Sequence, residues 1–121
     1  MTNKIIKNYY KQLNPHAKVL FDEYNIALKN KMWATAIILS LTIIDNILSD
    51  TYNLNYIDGL DINHFKSSKD FHWLRKRRNQ ILHFEKPVEG FLGNKDSYKT
   101  LKLDAVRAES ILKQCFYTLF R

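Results

Sequence analysis

At 121 residues the chain is the size of one domain and long enough to bury a single core without staples. Its one cysteine, Cys115, excludes an internal disulfide and suits a reducing compartment. The formal net charge of +7 favours polyanions or an acidic partner protein, and it is concentrated: residues 66–86 carry seven Lys or Arg against Asp70 and Glu85, while the rest of the chain nearly balances.

Ile5, Ile6, Tyr9, Tyr10 and Leu13 recur at helical spacing and predict a short leading helix. Polar Tyr9 to Gln12 stand where a secretory leader would need its apolar stretch, so no leader is expected. Asn14-Pro15 reads as an N-cap followed by proline at the first helical position. The helix it opens carries Ala17, Leu20, Phe21, Tyr24 and Leu28 on one face and should end near Asn30 or Lys31. The next, from about Met32 to Tyr52, is apolar over most of its circumference and belongs at the centre, with Thr35, Thr42, Asn46 and Ser49 as a narrow polar stripe. Thr35, Ser40, Thr42, Asp45 and Asn46 interrupt its apolar run, which is too short to span a bilayer.

Asn53 to Ser67 mixes Asn, Asp and Gly59 with Leu, Tyr and Ile and reads as a long ordered loop that can hold one helical turn. Ser67 or Ser68 caps a basic helix that has Asp70 in its first turn and runs to Phe84 or Glu85, ahead of Pro87. Lys86 to Thr100 reads as a loop or small hairpin. The last helix is predicted to open near Asp104, with Ala108, Ile111, Leu112, Cys115 and Leu119 inward and Cys115 as packing. The expected fold is all-α: an up-and-down bundle of four long helices plus the short leading one.

The chemistry lies in the basic helix. At about 100° per residue, Phe71, Leu74, Ile81 and Leu82 share one face with Arg78 at its centre. A charge centred on a core-facing stripe needs a partner, and Asp45 on the central helix is the first candidate. A second face holds His72, Arg75, Asn79 and His83: a cation, an amide and imidazoles in a row, suited to phosphate chemistry. Arg75, His72, Arg77 and Lys76 are the expected substrate-binding groups. Trp73 is expected to pack rather than to stack a base. The spacing of His64, His72 and His83 with Asp58, Asp61 and Asp70 matches no standard metal site, and neither a metal nor another cofactor is expected. The irregular segment before Ser67 is too long for the tight turn of a helix-turn-helix DNA reader.

Arg78-Asn79-Gln80-Ile81-Leu82-His83, late in a helix of a small all-helical domain, resembles the Arg-polar-x-x-x-His signature of the HEPN family, the higher eukaryotes and prokaryotes nucleotide-binding domains. The resemblance implies homodimers in which two motif helices form one composite cleft. Active members are metal-independent endoribonucleases, often toxins or antiphage effectors. Carried onto this chain, His83 handles the proton of the ribose 2′-hydroxyl or of the leaving oxygen. Arg78 stabilises phosphate charge or positions His83, Asn79 orients the substrate, and the product is a 2′,3′-cyclic phosphate. Other members only bind a nucleotide, RNA or a partner protein, and the sequence leaves both outcomes open. RNA or a nucleotide, a second copy of the chain and an antitoxin or other partner protein are the expected partners. The expected location is the cytoplasm, with no membrane attachment.

Overall fold

A computed structural model describes residues 8–50, 59–83, 91 and 94–120. Five helices are bounded within it: α1 (Pro15–Lys29), α2 (Trp33–Ser49), α3 (Gly59–Lys66), α4 (Lys69–Leu82) and α5 (Lys95–Leu119). Residues 8–10 form a further helical turn ahead of α1, and the described residues contain no strand.

Local chemistry sets the helix ends. Asn14 Oδ1 accepts the Ala17 N–H at 2.9 Å, and Pro15 follows at the first helical position, where a missing N–H costs nothing. The same Asn14 donates through Nδ2 to Asp50 Oδ2 at 2.9 Å, so the start of α1 is tied to the end of α2. The three residues between these helices turn tightly. Met32 N–H donates to Ala27 O and Lys31 N–H to Leu28 O, and Lys31 takes φ 57°. That left-handed position usually falls to glycine; here the lysine carbonyl also accepts the Tyr98 hydroxyl.

The most apolar helix, α2, is packed by α1 and α5 and, less extensively, by α4. Ile37, Leu41, Ile43 and Ile44 are fully buried. Ser40 is buried too, and its hydroxyl is satisfied by Ile37 O at 2.8 Å. Along α5, Ser97, Leu101, Ala105, Ala108, Leu112, Cys115 and Leu119 recur at three- and four-residue steps and are buried, as the periodicity of its second half requires. Cys115 is core packing, and burial pushes its thiol pKa up.

Several expectations are corrected here. The 53–67 segment is not a loop with a single turn: α3 gives it eight helical residues, and Phe65 joins the core, its ring 5.1 Å from Phe71. The last helix opens nine residues before Asp104, at Lys95, where Asn94 Oδ1 accepts the Ser97 N–H at 2.8 Å. The basic helix stops at Leu82 rather than Phe84 or Glu85, and α2 runs from Trp33 to Ser49 rather than from Met32 to Tyr52. The loop or small hairpin expected for residues 86–100 is overturned at 95–100, which belong to α5; residues 86–90, 92 and 93 lie outside the described residues, as does the start of the leading helix. No described helix is long and apolar enough to cross a membrane.

Candidate functional site

Ser68 opens α4: its hydroxyl accepts the Phe71 N–H at 3.2 Å, and Asp70 sits in the first turn, where a negative charge favours the helix dipole. From there the helix presents three kinds of cation.

The first is buried. Phe71, Leu74 and Arg77 form the covered face, so the charge at the centre of the stripe is Arg77, not Arg78. The Arg77 side chain is 6% exposed; its Nε donates to Asp104 Oδ2 at 2.8 Å and its Nη1 to Gln80 Oε1 at 3.3 Å. The expectation that Arg77 binds substrate is therefore corrected: it bolts α4 to α5. Leu82, placed inward on the sequence wheel, is 52% exposed because the helix ends there.

The second is half-buried. Arg78 faces α2, with Nη1 donating to Asp45 Oδ2 at 3.1 Å; the side chains are 23% and 46% exposed. The pair foreseen from the sequence is formed, but by one point only. Arg78 Nε is covered and finds no acceptor among the described residues. A buried donor left unpaired costs about 1–3 kcal/mol.

The third kind is in solvent. His72, Lys76, Asn79 and His83 are exposed, spaced by four, three and four residues, and so form the outward row of the helix. Lys76 joins the row drawn from sequence. Arg75 is also exposed but leans over the Phe71 ring, 5.8 Å from its centroid. His83 is the C-cap, with extended backbone at φ −122°, ψ 122°, and its N–H donates to Asn79 O at 3.0 Å. A third ion pair brackets the other end of α4. Arg107 reaches Asp70 at 3.2 Å and lies 4.0 Å over the half-buried Trp73 ring, so Trp73 packs as expected.

The electrostatic order is a gradient around one helix: neutralised and buried at Arg77, partly neutralised at Arg78, and without an ion pair among the described residues at Lys76. Such a face can attract an anion, grip it through a guanidinium and offer an imidazole for proton transfer. Asp104 and Gln80 hold Arg77: the expected helix start at Asp104 leaves that carboxylate at a terminus rather than mid-helix against α4, and Gln80, three residues on in α4, carries no charge to mark it. No group of three or more His, Cys, Asp or Glu residues is placed to hold a metal among the described residues. A separate cavity of about 260 Å³ is lined by Asn14, Pro15, His16, Asn46, Ser49 and Asp50, all outside α4.

No protein-family model matches this chain, and neither a curated protein nor a solved structure matches it.

Proposed function

We propose that this chain is a HEPN-like, RNA-directed domain, an up-and-down bundle of four long helices acting in the cytoplasm as a metal-independent endoribonuclease in homodimeric form. One observation carries the reading. Arg78 and His83, at the spacing of the family signature, fall at the end of α4, where Arg78 is anchored on Asp45 and His83 leaves the helix at its exposed cap. Beside them Lys76 and Asn79 continue an exposed polar row along which a phosphate chain can run.

In the reaction, the ribose 2′-oxygen attacks its own phosphorus while the bond to the 5′-oxygen of the next nucleotide breaks. His83 takes the proton from the 2′-hydroxyl or gives one to the departing oxygen, and Arg78 balances charge on the phosphoryl oxygens. Asn79 orients the sugar or base. The product ends in a 2′,3′-cyclic phosphate. Action as a toxin held by an antitoxin, or as an antiphage effector, belongs to the same proposal.

A second reading has its own support. Within one chain, residues 78 and 83 lie about 140° apart around the helix axis. That separation requires a second copy to complete a cleft; without one it suits a module that binds RNA, a nucleotide or a partner protein and does not cleave. The experiment is incubation of labelled RNA with the purified chain in EDTA, alongside His83→Ala and Arg78→Ala. The endoribonuclease reading expects cyclic-phosphate ends from the wild type and a loss of about 10²–10⁴ in rate for His83→Ala. Binding without cleavage, unchanged by His83→Ala, selects the module.

A further inference from the structure

Arg77 and Arg78 are neighbours in sequence, yet their ion pairs are built differently. Arg77 is almost wholly covered, meets Asp104 at 2.8 Å and has Gln80 as a further acceptor. That is how a guanidinium is arranged when its role is to hold two helices together. Arg78 has one contact, from Nη1 to Asp45 Oδ2 at the longer distance of 3.1 Å, and a covered Nε with no acceptor among the described residues. A guanidinium binds a carboxylate or phosphate best through two parallel N–H bonds. The Asp45 carboxylate, almost half exposed, supplies one of them and is weakened by solvent.

We infer that Asp45 is a resident competitor at Arg78: it holds the guanidinium in reserve and is displaced when an oxyanion presenting two oxygens takes the full fork. The ligand chemistry is that of a phosphate, and its identification as an RNA phosphodiester rests on the function proposed above. Because Nε is covered in the resting position, docking turns the guanidinium outward and away from Asp45. The unpaired donor makes that resting position the poorer of the two whenever the anion is present. Arg75, exposed and three residues before Arg78, is the neighbouring cation on the flank of the helix from which the anion arrives. Asp45 therefore tunes affinity, and it is a positioning residue rather than a catalytic one.

The test uses the full chain labelled with ¹⁵N in an EDTA buffer, with inorganic phosphate and a short oligoribonucleotide titrated separately while the Arg78 Nε–Hε resonance is followed. Asp45→Asn keeps shape and removes charge; it is expected to tighten phosphate binding roughly three- to fivefold. Arg78→Lys keeps charge and removes the fork, so the Asp45→Asn gain should vanish in that background. Asp70→Asn removes the same charge from α4 itself and should give no comparable gain. The inference is overturned if Asp45→Asn leaves phosphate affinity unchanged or lowers it, or if its gain survives Arg78→Lys, which would make it a general field effect. The two ligands separate this failure from that of the proposed function. Coupling seen with phosphate, but no binding of the oligoribonucleotide, keeps Asp45 as competitor and removes RNA. An oligoribonucleotide that binds with no response to Asp45→Asn keeps RNA and removes the competitor.

Discussion

Two sides of this bundle are held by different physics. Where α1 and the turn before it meet α5, the contact is a run of rings: Phe116 lies 5.3 Å from Tyr9, 5.8 Å from Phe21 and 6.0 Å from Phe120, centroid to centroid. Where α4 meets α2 and α5, three ion pairs at 2.8, 3.1 and 3.2 Å accompany the apolar contacts of Phe71 and Leu74. The aromatic seam is non-directional and indifferent to salt, and it offers nothing to an anion. The α4 flank contains cations in graded states of neutralisation, and Arg77 is the one among them that its burial and pairing withhold from an incoming anion. Burial of a charge marks the structural arginine, and incomplete pairing marks the one fit for binding.

The widest gap between the two sides should appear on truncation. Phe116→Ala removes a fully buried ring that touches three others and should cost about 3–5 kcal/mol in denaturant unfolding, without changing how RNA binding varies with salt. On the flank, Asp104→Ala leaves the Arg77 charge in a covered site and should cost about 3 kcal/mol. Replacing both partners, Arg77→Met with Asp104→Leu, should recover most of that loss and so separate the bolt from the cations proposed to meet a ligand. The smallest effect is set by pH and falls on the seam. Burial raises the Cys115 thiol and the Tyr24 phenol above their ordinary 9.0 and 10.0. Unfolded chains release those protons while the folded chain keeps them. Stability from these groups is thus complete below pH 9 and declines as pH rises, by up to about 1.4 kcal/mol per unit for each group. Cys115→Ala should move the onset of alkaline destabilisation from about 9 to about 10, read from unfolding curves across that range.

How far the sequence anticipated this molecule depends on the range of the signal. Asn14-Pro15 and Ser68 announced their helices because a cap is chemistry within three residues, and the apolar face of α5 was legible because its second half repeats cleanly. The start of α5 was hidden by Lys95, Lys99 and Lys102, although Asn94 and Asp96 gave a cap signal and Ser97, Leu101 and Ala105 already keep the spacing. The Asn- and Asp-rich composition around Gly59 masked α3, whose contribution to the core rests on Phe65 and, half-buried beside it, Ile62. At the candidate site, the Asp45 partner of Arg78 could be named because a guanidinium on a core-facing stripe needs a carboxylate and the central helix offers Asp45, although Arg78 proves to flank that stripe rather than centre it. Arg77 could not be ranked as the buried cation, for two reasons. Leu82 biased the wheel until the helix end was known, and a long aliphatic stem lets arginine occupy a covered position whenever a distant carboxylate arrives.

The central claim is that the outward row of α4 is the nucleic-acid face, and it can be tested without assuming cleavage. The most direct measurement is the affinity of a labelled single-stranded RNA, in EDTA at fixed moderate salt, for the wild type and for the combined Lys76→Ala, Asn79→Ala, His83→Ala variant. All three side chains are exposed, so the helix should fold as before. A weakening of about tenfold or more is the predicted result. Equal affinity for the two proteins, with folding intact, would contradict the account.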